Sequence, residues 1–145
     1  MRYEIGKTYE QLRVGEKASF RKTISQADIS LFAGICGDFN PLHVNENYAA
    51  QTRFKKCIAH GPLTQSLMAP VLGTKLPGLG SVALEFFCRF TAPVYPGDTI
   101  TATAEVAEKL PQKKWVRMTL TWENQQGKRV AEGYCLMMPP RDGGG

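Results

Sequence analysis

No apolar run in this sequence approaches the ~18 residues that a membrane-crossing helix needs. The opening Met1-Arg2-Tyr3-Glu4-Ile5 lacks the apolar centre of an export signal. Together these absences lead to the expectation of a cytoplasmic protein with no membrane partner. Its four cysteines, Cys36, Cys57, Cys88 and Cys135, form no C-x-x-C pair. Reduced thiols are therefore expected, not a disulfide framework. No cysteine or histidine pair has finger-like spacing, so no metal is expected. No run of lysine or arginine exceeds two residues, as at Lys55-Lys56 and Lys113-Lys114, and the basic residues are not interleaved with aromatics in a nucleic-acid pattern. That pattern argues against nucleic acid despite a formal net charge of +5. The charge suits a small phosphate-bearing anion, set against the plainer reading of a solvated basic surface. There is no internal repeat. Ser66 has no G-x-S-x-G setting, so it is a weak nucleophile candidate.

What remains is an ordinary globular composition, 43% hydrophobic and 21% charged over 145 residues. That is one domain's worth of chain, long enough to bury a core unaided. We expect a single domain over residues 1–140 and a loose tail over 141–145. The first 16 residues follow no clear period. Lys17 to Ile24 alternates as a strand, with Ala18, Phe20 and Lys22 on one side. Ser25-Gln26-Ala27-Asp28 starts a helix in the manner of a capping box. Ile29, Phe32, Ala33 and Cys36 continue it at helical spacing, and Gly37 ends it. Asn45 to Gln51 can form a second short helix. Gly61-Pro62 opens an apolar helix carrying Leu63, Ser66, Leu67 and Val71, with Pro70 a kink or an early end.

Four alternating strands follow. Val82, Leu84, Phe86, Cys88 and Phe90 define the first, and Ile100, Ala102, Ala104 and Val106 the second. Val116, Met118, Leu120 and Trp122 define the third. Val130 to Met138 is the fourth, with Gly133 a bulge or a close approach. Strands grouped around one helix make an α+β fold. One sheet face, with Phe87 and Trp115 among its residues, then lacks a cover, or an edge lacks a partner strand. A homodimer that extends the sheet answers that need.

Both histidines fall in one stretch with the other proton-carrying groups. It reads Phe32 through Gly37-Asp38-Phe39-Asn40-Pro41-Leu42-His43-Val44, and resumes at Ile58-Ala59-His60-Gly61. Asp38 and His43 flank the Pro41 turn, where their side chains can converge on one water and exchange its protons. Gly61 offers a backbone N–H at a helix start, with no side chain in the way of a carbonyl oxygen. A water activator beside a carbonyl polariser suits addition of water to a double bond conjugated with a carbonyl. It equally suits hydrolysis of an acyl bond. Each residue also has a plainer use. Asp38 and Asn40 are good turn formers, and a lone histidine is commonly structural. Nothing marks Cys57 as a reactive thiol.

That ordered stretch resembles the hydratase motif of the MaoC-like family, which includes the (R)-specific enoyl-CoA hydratases. The similarity runs on through Pro77-Gly78 and the strand pattern to about Met138. It implies a hot-dog fold, an antiparallel sheet wrapped around a central helix, working as a homodimer. It implies reversible hydration of trans-2-enoyl-CoA to (R)-3-hydroxyacyl-CoA, with no cofactor beyond the CoA of the substrate. It also implies Asp38 and His43 as the catalytic pair and Gly61 as the thioester polariser. Asn40, His60 and Ser66 are taken as supporting residues, and Arg53, Lys55, Lys56 and Lys75 as cations for CoA. The chain departs from some relatives in having Ala69 where they place a serine, and Ser66 lies one turn earlier. A hot-dog thioesterase and a non-catalytic acyl-thioester-binding module are the rival readings.

Overall fold

A computed structural model describes residues 1–142. It contains five strands and five short helices. They run β1 (Lys17–Thr23), α1 (Gln26–Cys36), α2 (Pro41–Val44), α3 (Glu46–Ala50), α4 (Gly61–Ser66), α5 (Ala69–Thr74), β2 (Val82–Phe90), β3 (Thr99–Leu110), β4 (Trp115–Glu123) and β5 (Arg129–Met138). The strands form one antiparallel sheet in the order β1-β3-β4-β5-β2. No helix among the described residues is long and apolar enough to cross a membrane.

The alternating residues of β3 and β4 explain the core. Ile100, Ala102, Ala104, Val106, Val116, Met118, Leu120 and Trp122 all lie on the inner face, fully buried. Period-2 alternation places each set on one side of the sheet. The concave face closes on Leu63 of α4, Val71 and Leu72 of α5, and Leu67 and Met68 between them. Small Ala102 and Ala104 leave room for that helical segment. This is the hot-dog arrangement, with one difference from a single long central helix. Leu67 and Met68 form a tight turn between α4 and α5, where Leu67 N–H bonds to Thr64 O and Met68 N–H to Gln65 O. Pro70, at the start of α5, has no N–H to carry an uninterrupted helix through this point.

α1 forms as its sequence dictates. The Ser25 side chain accepts from Asp28 N–H, and the Asp28 carboxylate accepts from Ser25 N–H at 2.9 Å. Gly37 ends the helix at φ 84°, which favours a residue without a side chain. Ile29 and Ala33 are buried, whereas Cys36 turns to solvent instead of joining their stripe. The irregular first 16 residues are tied down along the sheet and the helix end. Gly6 N–H bonds to Leu79 O, Lys7 N–H to Pro77 O and Gly15 N–H to Val106 O, while Leu12 is buried.

The outer sheet face needs less cover than its pattern suggests. Across β3 and β4 it carries Thr101, Thr103, Glu105, Arg117, Thr119 and Thr121. Lys113 lies over the Trp115 ring at 5.9 Å. Within the sheet, apolar exposure is concentrated at the β2 end, in Val82, Leu84, Phe87 and Tyr134 and in the cavity-lining Phe90; away from the sheet, Leu31 and Ile35 of α1 and Phe39 beyond it are exposed as well. Of the expected tail at 141–145, Arg141 and Asp142 are exposed, and 143–145 lie outside the described residues.

Candidate active site

The site is assembled from the end of α1, helix α2 and the segment entering α4. Past Gly37, one oxygen of Asp38, Oδ1, accepts from Asn40 N–H at 3.1 Å and shapes the turn. Asn40 Oδ1 in turn accepts from Leu42 N–H at 3.0 Å and caps α2, with Pro41 at its first position. His43 therefore sits on a one-turn helix, not in an open turn as the Asn40-Pro41 pair suggested. Gln26, at the start of α1, donates from Nε2 to His43 O at 3.2 Å.

A second strap crosses behind His43. Ile58 N–H bonds to Leu42 O at 3.3 Å, and Ile58 O accepts from His43 Nδ1 at 2.7 Å. A carbonyl can only accept, so Nδ1 carries the ring proton and Nε2 presents a lone pair. Asp38 Oδ2 lies 3.9 Å from that Nε2. The separation is too long for a direct hydrogen bond. It fits a water that donates one O–H to each acceptor across legs of about 2.8 Å. The His43 side chain is nearly buried while Asp38 is half exposed, so the pair joins the interior to the solvent side.

His43 faces a cavity of about 400 Å³ that Gly61, Thr64, Phe90, Ile58 and Val94 also line. Gly61 is the first residue of α4, and its N–H has no protein acceptor among the described residues. A side chain there would meet Phe90 Cζ at 2.8 Å, so the absence of Cβ keeps the approach to this amide open. Thr64 lies one turn after Gly61 on the same helix face, a spacing that marks it in retrospect as a lining residue. Phe90 comes from the far end of β2, and no local signal connects it with Gly61.

His60 is almost completely buried. Its ring stacks on His43 at 3.9 Å between centroids, 26° from parallel, and its Nε2 lies 2.9 Å from Asp38 O. Asp38, His43 and His60 each offer one donor atom within 4.8 Å of the others, so the cluster has the reach to hold a metal. Its donor chemistry does not favour one. His43 Nδ1 and His60 Nε2 are committed to carbonyls, and the remaining His60 nitrogen is enclosed. Thiol chemistry is also disfavoured here. Burial and the neighbouring Glu46 push the Cys57 thiol up, and burial pushes Cys135 up to about 12.

Of the four expected CoA cations, one lines this cavity and two follow that one closely in the chain. Arg53 lines it, with its guanidinium 4.8 Å from the Phe54 ring centroid. Lys55 follows at a left-handed φ of 66°, and Lys56 reaches over the Tyr95 ring at 5.8 Å. Lys75 does not belong with them. It caps the far end of α5, and its Nζ donates to Ser19 O. Ser66 is also separate. Its hydroxyl donates to Leu63 O at 2.6 Å, and it borders a second, apolar cavity with Ala69, Leu72, Phe86 and Met137. That second cavity contains neither His43 nor Gly61.

An antiparallel sheet around a broken central helix, with an aspartate–histidine pair beside a free glycine amide, defines a hot-dog protein of the dehydratase type. The chain belongs to the MaoC like domain family, whose model matches residues 10–136. It is 47% identical to an (R)-specific enoyl-CoA hydratase of Rhodospirillum rubrum, over 93% of each chain. It is 43% identical to a 3-hydroxybutyryl-CoA dehydratase of Methylorubrum extorquens, over 92% of this chain and 84% of that one. Among solved structures it matches the unliganded R-hydratase PhaJ1 of Pseudomonas aeruginosa with a TM-score of 0.89 and 43% identity. That match covers 94% of this chain and 88% of the other.

Proposed function

We propose that the protein is an (R)-specific enoyl-CoA hydratase, a hydro-lyase that interconverts trans-2-enoyl-CoA and (R)-3-hydroxyacyl-CoA. The observation that carries this reading is the 3.9 Å gap between Asp38 Oδ2 and His43 Nε2, with His43 lining the same cavity as Gly61 and its free N–H; Asp38 reaches that cavity only through His43. The relatives' names give the stereochemistry and the thioester class.

The chemistry follows from these groups. Water held by the pair bonds through its oxygen to C3 while one O–H proton passes to the pair. The C2=C3 electrons move toward the thioester, and its oxygen gathers charge that the Gly61 N–H stabilises. C2 then takes a proton from the pair, and the thioester carbonyl is restored. Hydrogen and hydroxyl have been added across the double bond, with no electron gained or lost. No metal or further cofactor enters these steps.

Arg53, Lys55 and Lys56 are assigned to the CoA phosphates, because they lie on the segment that leads to the cavity. The functional unit is assigned as a homodimer joined at β2. β2 is an edge strand that exposes Val82, Leu84, Phe87 and Phe90 along with Glu85 and Arg89, whereas on the opposite edge, β1, the apolar Ala18 and Phe20 are half-buried and Lys17 and Arg21 are exposed.

The test follows crotonyl-CoA absorbance and free thiol in parallel, on protein dialysed against a chelator. Loss of the enoyl band without thiol release is expected, with a Michaelis constant that rises with salt as the cations are screened. Thiol release would indicate a thioesterase. No reaction, with crotonyl-CoA still bound, would indicate a binding module. Activity that returns only with added metal would refute the metal-free scheme.

A further inference from the structure

We infer that His60 is the positioning residue of this site, a neutral ring that locks Asp38, His43 and Gly61 into one geometry. The inference rests on the hydratase reading only for its kinetic consequence; the arrangement itself is structural. Asp38 O is an acceptor, so the His60 Nε2 at 2.9 Å carries the proton and donates. The same ring provides the flat surface on which His43 lies, 3.9 Å away. His60 also precedes Gly61, and its carbonyl accepts from Leu63 N–H and Thr64 N–H at 3.0 and 3.2 Å. Those bonds start α4 and fix the direction of the Gly61 amide. One residue therefore contacts the carboxylate-bearing residue through its edge, the base through its face and the thioester donor through its backbone.

His60 Nδ1 is buried with no hydrogen-bond partner among the described residues. A proton there would be buried with no acceptor. The ring is enclosed, so it has no route to substrate and is not a proton donor in the reaction. Its contribution is to hold two acceptors 3.9 Å apart, close enough to share a water. His43 is held on a second side by Ile58 O, and Asp38 by Asn40 N–H, so loss of His60 loosens the pair without dismantling it.

His60→Phe keeps the stacked ring and removes the donor, and His60→Gln keeps an N–H donor and removes the ring. Both should fold and should bind butyryl-CoA, which cannot react, within about threefold of the parent. Both should lose ~10- to 100-fold in kcat on crotonyl-CoA with KM little changed, because small misplacements of reacting groups have effects of that order. Either variant retaining kcat within twofold of the parent would overturn the inference. So would a loss of butyryl-CoA binding that matches the loss of kcat, since that pattern marks general damage to the cavity. A measurement on the unaltered protein covers the case in which the variants do not fold. Long-range 1H–15N spectra should show His60 as the Nε2–H tautomer and His43 as the Nδ1–H tautomer, and the reverse assignment for His60 would refute the inference. An inactive parent with these tautomers would refute the hydratase reading alone.

Discussion

Asp38 divides its carboxylate between two tasks. Oδ1 closes the turn through Asn40 N–H, and Oδ2 faces His43. The turn-forming reading of this aspartate is met by Oδ1, which leaves Oδ2 free for the proposed chemical one. Asp38, His43 and Gly61 were visible in the sequence because they share one short ordered motif. The tautomer of His43 was not, because it depends on the carbonyl of Ile58, a backbone group that any residue there could supply. Residue chemistry was also no guide to Lys75 and Ser66, whose direction depends on the course of the broken central helix. Two substitutions test these placements. Gly61→Ala adds a Cβ 2.8 Å from Phe90 Cζ, the tip of an exposed side chain able to swing aside. The fold should survive, while kcat/KM on crotonyl-CoA falls ~100-fold as the approach to the amide is blocked. Ser66→Ala should stay within about twofold, since its hydroxyl is bonded to Leu63 O outside the catalytic cavity. A larger loss would return Ser66 to the site.

Elements with local signals were read closely, and those shaped by distant contacts were not. α1 runs from Gln26 to Cys36 because its start and its stop are both written in its own residues, Ser25 with Asp28 and then Gly37. β3 and β4 bury their alternating residues completely, as their pattern requires. β2 is different. A register shift between Ala83 and Glu85 breaks its alternation, and Leu84 is exposed. A bulge depends on the partner strand, which one strand's own residues do not encode. Gly133 was read as a bulge or a close approach, and it is the latter. A Cβ on it would lie 1.9 Å from Phe87 O, a backbone atom of the paired strand that cannot rotate away. Gly133→Ala should therefore force β2 away from β5 and destabilise the protein by about 1–3 kcal/mol or more. Urea unfolding measures this directly, and an unchanged midpoint would contradict the packing described here.

At the scale of the molecule, the sheet has two unlike edges. β1 presents Lys17 and Arg21, while β2 presents Val82, Leu84, Phe87 and Phe90. Glu85 and Arg89 also stand exposed on β2, and in an antiparallel pair of β2 strands these opposite charges can face each other while the apolar residues of the two copies meet. Phe90 also lines the catalytic cavity, so this pairing would place both active sites beside the interface. Light scattering at micromolar concentration should give twice the 16.1 kDa chain mass, and a stable monomer would refute the assignment. The sequence pattern suggests a partner for the sheet but not which surface would take it, since threonines make most of the outer face compatible with water. The central claim, that Asp38 and His43 share one water, is tested most directly by crotonyl-CoA turnover of Asp38→Asn, His43→Gln and the double variant. Each single variant should fold and lose ~100-fold or more, with the double variant little worse than the poorer single, because groups acting on one water are not additive. Folded single variants that bind crotonyl-CoA and hydrate it at near the parent rate would contradict it.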